Sequence, residues 1–173
     1  MKYPSFETII ETSVFSELFG FVIADPVTLD LFHGGEVLGR DLLSLYTTTS
    51  TGESVAQAGV ALPILGVEAG FYSIVLRDTS APSLLHNTHN KSSGWVLHVT
   101  SGTVVICGIG YLMNLNPNGN AIRHVSIPIG WYSIQISIGD AFNTDDFALE
   151  VSLLPCSQQP VFTADLTTTF NEL

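Results

Sequence analysis

Charge is what this chain has least of. Asp, Glu, Lys and Arg make up 12% of its 173 residues, about half the ~25% usual in soluble proteins, and only five residues are basic against 16 acidic. At a formal net charge of −11 the surface repels phosphate backbones and has few cations with which to displace counterions, so direct nucleic-acid binding is not expected. Cysteine is also scarce. Cys107 and Cys156 lie far apart in sequence and read as free thiols rather than as a bridge. No long apolar run opens the chain, because Glu7, Glu11 and Glu17 interrupt "MKYPSFETIIETSVFSELFG"; neither a signal peptide nor a membrane span is expected there, and the expected location is cytoplasmic.

Catalytic signatures are missing as well. There is no G-x-S-x-G elbow, and "CGIGYL" (Cys107 to Leu112) lacks the third Gly and the Lys of a phosphate loop. Asp25, in Asp25-Pro26, and the pair Asp145-Asp146 have no partner acid, nucleophile or His at a diagnostic spacing. Asp-Pro at a strand end is a turn signal before it is a general base. Neither an enzyme nor a cofactor is expected.

What the chain does have is apolar residues, 46% of the total, arranged with period two. β-Branched and aromatic runs alternate with Gly, Pro, Asn and Asp punctuation, which specifies an all-β protein with little helix. "GWYSIQIS" (Gly130 to Ser137) places Tyr132, Ile134 and Ile136 on one face and Trp131, Ser133 and Gln135 on the other. "GFYSIVL" (Gly70 to Leu76) repeats the pattern with Tyr72 inward and Phe71 outward. "FVIADPVTL" (Phe21 to Leu29) likewise aligns with "VVICGIGYL" (Val104 to Leu112). A single domain built from two repeats, about 16–101 and 102–155, with a C-terminal tail, follows from these matches. Two four-stranded units would bury their apolar faces on each other, as a β-sandwich or squat barrel with a pseudo-two-fold axis.

Between the matched strands, "EVLGRDLLSLY" reads as either a helical turn or a short strand, "TTTSTGES" as an exposed loop, Asp78 to Gly94 as a long loop, and "PNGN" as the hairpin turn joining strands Gly110–Leu115 and Ile122–Ile129. The N-terminal segment suits an edge strand, with a helix as the alternative, and the tail either closes an edge or frays.

His86 and His89, in "HNTHN", are the right residue types for two metal ligands, with a third from His98 or His124 across a sheet. A two-copy β fold with a His-bearing loop is similar to the cupins, but the paired His-x-His and downstream Glu of that family are missing. A protein-binding surface is expected instead at Phe71, Trp131 and Trp95, with His86 and His89 in the adjoining loop. A net negative field favours a basic partner, and the scarcity of charge leaves apolar area for an interface or a homodimer.

The paired patterns "FVIADPVTL" with "GFYSIVL" and "VVICGIGYL" with "GWYSIQIS" resemble those of bacterial β-sandwich proteins of immunity or inhibitor type, including the competence-associated nuclease inhibitors. The second copy departs from the first in having Gly108-Ile109 where Asp25-Pro26 stands. The resemblance implies a cytoplasmic, non-enzymatic module that binds a toxic enzyme such as a basic toxin or nuclease. The residues alone leave two other functions open: a small-ligand or carbohydrate binder using an open sandwich edge, and a structural subunit of a larger assembly.

Overall fold

The computed structural model describes residues 3–141 and 147–170. Among these described residues nine strands form two sheets that pack face to face, with no closed barrel. Sheet A has the order β1 (Ile9–Phe15), β4 (Phe71–Asp78), β9 (Phe147–Cys156), β8 (Gly130–Ala141), β5 (Leu85–Val99). Sheet B has the order β3 (Ala61–Leu65), β2 (Gly20–Ala24), β6 (Thr103–Gly108), β7 (Arg123–Ser126). Tyr72, Ile74, Tyr132, Ile134, Ile136 and Ile138 all enter the core between the sheets, as their alternation requires.

Sheet B is covered on its other face too. Phe21 and Ile23 of β2 enter the sandwich core, while Val22 and Ala24 enter a second core beneath helices α1 (Pro26–His33), α2 (Leu42–Thr48), α3 (Thr51–Gln57) and a 3-10 helix (Ile109–Asn114). A strand buried on both faces has no polar side to show, which is why "FVIA" and "VVIC" read as unbroken apolar runs.

The described residues are mostly β, as expected, and the helices are a minor part made of short elements. The Thr-rich stretch "TTTSTGES" forms the end of α2 and most of α3, although its residues have modest helix propensity. Asp41 starts α2 by accepting from the Ser44 amide at 3.0 Å, and the Thr47 and Thr49 hydroxyls return to the Leu43 and Leu45 carbonyls at 2.8 and 2.6 Å. Burial of Leu42, Val55 and Ala56 against sheet B then outweighs propensity.

Two more segments differ from expectation. Gly110–Leu115 is mostly 3-10 helix rather than strand, because Ile109 and Leu112, three residues apart, both bury in the second core. Most of Asp78 to Gly94 belongs to β5, whose register with β8 slips at Leu85/Asn87, Thr88/Asn90 and Ser93/Trp95. Each slip reverses which face the following residues occupy, so this half of the strand shows no period-two pattern.

The two matched halves occupy unlike surroundings in sheet A. β4 pairs in parallel with β9, whereas β8 is antiparallel to both its neighbours. Sheet B alone has an order, β3-β2-β6-β7, that reads the same from either end when the two halves are exchanged.

Both open sides of the sandwich are bridged. On one, Arg123 of β7 reaches β1, donating to the Ser13 carbonyl at 3.4 Å and lying 3.8 Å from Glu11. On the other, the C-terminal tail runs past β5 and β3. The Thr163 and Ala164 amides donate to the Gly94 carbonyl at 3.0 and 3.2 Å, and the Phe170 amide donates to Leu65 at 2.8 Å. Phe170, 1% exposed, plugs the core at that side. Gly94 sits at φ 87, and a Cβ there would meet Thr163 at 2.3 Å, so the bulge that turns Trp95 inward is also where the tail crosses.

Candidate functional site

The most conspicuous surface lies where β1 turns into β2. Phe15 and Phe71 are directly opposed partners of β1 and β4, with ring centroids 5.1 Å apart. Both rings face solvent, Phe71 at 71% exposure. The turn that follows β1 presents Leu18 and Phe19, also exposed, at φ 52 and φ 59. Left-handed backbone is rare for bulky residues and costs roughly 1–2 kcal/mol per residue. Two in succession persist only where the surroundings impose them.

The surroundings do impose them. The Ser16 amide donates to the Gly70 carbonyl at 2.9 Å, the Ser16 hydroxyl to Val67 at 3.1 Å, and the Val67 amide to Phe19 at 3.0 Å. From the other side Glu17 lies directly on Gly108 and Gly110: a Cβ on Gly108 would stand 2.7 Å from the Glu17 Cβ, and one on Gly110 2.8 Å from its Cδ. The glycines of "CGIGYL" thus admit the β1–β2 turn; their role is space, not phosphate binding. Glu17 and Glu68 place carboxylates in the two loops that carry this apolar cluster.

The other candidate residues do not gather here. Trp131 is half-buried on the outer face of sheet A, stacked on His98 of β5 with centroids 3.7 Å apart and planes 3° from parallel. Burial holds the His98 imidazole below its ordinary pKa, against a smaller opposing pull from Asp25. Trp95 corrects the expectation of a surface role: at 2% exposure it is core, its indole N–H donating to Ser92 at 2.8 Å and its ring edge-on to Phe162. The register slip at Gly94 is what sends it inward.

His86 and His89 are exposed on β5. His89 Nε2 lies 3.3 Å from Asp140 Oδ2, and its ring is edge-on to Phe147. That hydrogen bond, with a weaker one from Asn87, holds the Asp140 carboxyl below the usual carboxylate range. Among the described residues no group of three or more His, Cys, Asp or Glu is placed to hold a metal ion. Asp145 and Asp146 lie outside the described residues.

His89 instead borders a polar cleft of about 520 Å3 with Thr88, Asn90, Lys91, Gln135 and Ser137. Arg77 forms its base but is fully engaged. Its Nε meets Glu150 at 3.0 Å, one terminal nitrogen donates to Ser152 at 2.8 Å, and the other donates to the Ala81 carbonyl. Glu150, buried in the sheet, also accepts from Ser83 at 2.8 Å and from the Leu84 amide at 2.8 Å, so the ion pair is satisfied from every side.

Asp25 is structural. Its carboxylate, 0% exposed, caps α1 through the Val27 amide at 2.9 Å and accepts from the Thr100 and Ser101 amides at 2.8 and 2.7 Å. Pro26 follows at the first helical position. The Leu18–Phe19 cluster was the feature hardest to anticipate, since an alternation count treats "SELFG" as an ordinary turn; two bulky apolar residues in place of turn formers were its only signal.

No family model and no curated protein matches the chain. Two solved structures share its fold. One is ComJ from Bacillus subtilis, an inhibitor of the DNA-degrading activity of NucA, with a TM-score of 0.51 and 15% identity over 88% of this chain and 98% of that one. The other is the product of crocagin biosynthetic gene J, with a TM-score of 0.52 and 15% identity over 86% and 95%. The fold is therefore similar to that of a protein that inhibits a DNA-degrading activity.

Proposed function

We propose that this chain is a non-enzymatic inhibitor or immunity module that docks a basic toxic enzyme, a nuclease being the leading class, through the Phe15, Leu18, Phe19 and Phe71 cluster. The observation that carries the proposal is the pair of bulky residues held exposed at positive φ: strain is maintained there, in a water-facing apolar patch, where stability alone favours polar turn residues. The ComJ fold supports the same class of function, since that protein inhibits a nuclease. The net charge of −11 and the neighbouring Glu17 and Glu68 favour a cationic partner by steering and by rim contacts. Trp131 and the exposed His86 and His89 belong to a separate part of sheet A and are secondary contacts in this proposal. The duplicated origin of the chain within a single domain is part of the same proposal, with sheet B as its support.

The test is inhibition of a panel of basic nucleases by the purified chain. Phe19→Asp combined with Phe71→Ala should weaken inhibition at least about a hundredfold, since central aromatic anchors dominate such interfaces, while leaving the melting temperature within a few degrees. A wild-type chain that neither binds nor inhibits any of these enzymes would sink the reading.

The polar cleft favours a second function, binding of a small polyol or sugar by Asn90, Gln135, Ser137 and Thr88. A sugar panel should then raise the melting temperature of the wild type and not of Gln135→Ala.

A further inference from the structure

A cavity of about 310 Å3 opens between the helices and sheet B, on the face of the sheet turned away from the sandwich core. Its floor is Val22 and Ala61, and its walls include Val55 and Ala56 of α3 and Leu112 of the 3-10 helix. Leu166 and Thr167 of the C-terminal tail form part of the rim. Elsewhere the second core is filled by Leu29, Val37 and Leu42, yet here small residues meet and leave room. Gly52 keeps the walls close: a Cβ on it would meet the Tyr46 carbonyl at 2.2 Å, so α2 and α3 can abut at this point only without a side chain.

Polar groups enter at one side. Tyr46 lines the cavity, and its hydroxyl is 2.6 Å from His33 Nε2; whichever atom donates, the phenolic oxygen keeps a lone pair for a further donor. Thr47 adds a hydroxyl, and Glu53 the only charge among the described residues of the lining.

We propose that this cavity is a binding site for a small uncharged molecule, an aromatic ring or short acyl group carrying one hydrogen-bonding atom. Its volume lies at the lower end of the ~300–1,000 Å3 range of small-molecule sites, and a mainly apolar lining with few polar groups is the composition such sites have. Glu53 and the net charge of −11 disfavour anions, and among the described residues no cation lines the cavity to offset them. The site is independent of the aromatic cluster proposed for protein docking.

The probe is N-phenyl-1-naphthylamine, a neutral fluorophore, titrated against the full chain. A saturable rise with one-to-one stoichiometry is expected, weakened about tenfold or more, ~1.4 kcal/mol, by Ala61→Leu, which fills the floor, and by Thr47→Phe, which narrows the mouth from an exposed position. Leu18→Ser with Phe71→Ala should leave the titration unchanged. Should Ala61→Leu fail to fold, Thr47→Phe decides. Non-saturable fluorescence, unaltered affinity in folded Thr47→Phe, or loss of binding in the Leu18→Ser, Phe71→Ala chain would each overturn the proposal.

Discussion

Replacing Asp25 by Ala should be among the most damaging single changes to this fold, and its cost can be apportioned. The carboxylate does two jobs at once. One is the helix cap, through the Val27 amide at 2.9 Å; the other is fastening the β5–β6 turn, through the Thr100 and Ser101 amides at 2.8 and 2.7 Å and the Ser101 hydroxyl at 2.9 Å. Loss of a cap costs about 1 kcal/mol. Each amide left without a partner in a water-poor site costs about 1–3 kcal/mol. Because those bonds are only part-buried, the lower half of that range applies, giving roughly 3–5 kcal/mol in all. For a chain of this length each kcal/mol moves Tm by about 2–4 °C, so a drop of roughly 6–20 °C is expected. Urea melts with unchanged slope would establish that the effect is on stability and not on denatured-state compactness. Asp25→Ser separates the two jobs: its hydroxyl can cap the helix but is too short to reach the turn, so it should recover only about 1 kcal/mol. A loss below about 1 kcal/mol in Asp25→Ala would refute the fastening role, since that is the cost of the cap alone.

Three further outcomes follow from particular contacts. His98 has a pKa depressed by burial, so the unfolded chain takes up its proton first as pH falls; the stability from neutral His98 is complete above the ordinary value of 6.5 and is lost below it, down to the lowered folded-state pKa. His98→Gln should flatten the fall in denaturation midpoint below pH 6.5, and a slope equal to that of the wild type would contradict the assignment. Iodoacetamide should alkylate half-buried Cys156 in the native protein, while Cys107, fully buried with its thiol pushed up to about 12, should react only on unfolding; mass spectrometry of two natively labelled thiols would argue against that core position. Phe170→Ala should cost about 3–5 kcal/mol and raise protease cleavage in the tail, and a native-like melt would show that the tail does not seal the β5–β3 side.

The sandwich was legible because its two inner faces obey the simplest rule available. "GWYSIQIS" and "GFYSIVL" alternate cleanly, and their Tyr and Ile residues are core. The helical layer was legible only as an open choice between helix and strand at "EVLGRDLLSLY", for a physical reason: α2 and α3 are each seven residues long, too short for periodicity to register, and form by burial of a few side chains against a sheet whose outer face is itself apolar. Trp95 was misplaced for a different reason. Its facing depends on a one-residue slip at Gly94, and a local pattern does not record how a strand registers with a partner forty residues away. Of the candidate site, Phe71 could be read from its exposed parity, but its neighbours in space, Leu18 and Phe19, carry no periodic mark.

The difference between Asp25 and Gly108 explains why one of two similar strand-to-helix corners carries an exposed apolar turn. At the first corner a carboxylate fills the space after β2 and starts a regular α-helix. At the second, Gly108 makes no side-chain cap and the chain enters a 3-10 helix. The space vacated by a side chain is taken by Glu17 of the β1–β2 turn, which packs onto Gly108 and Gly110. An Asp at 108 would not fit: its Cβ would stand 2.7 Å from the Glu17 Cβ and 2.8 Å from the Glu17 amide nitrogen, within a well-packed region that cannot yield several tenths of an ångström on both contacts. Gly108→Asp should therefore displace the turn and with it Leu18 and Phe19. Gly110→Ala meets mainly the flexible end of the Glu17 side chain and should disturb the turn less. If the aromatic cluster is the docking surface, inhibition by Gly108→Asp should fall much further than by Gly110→Ala at comparable retained fold; equal inhibition by the two would separate docking from the turn.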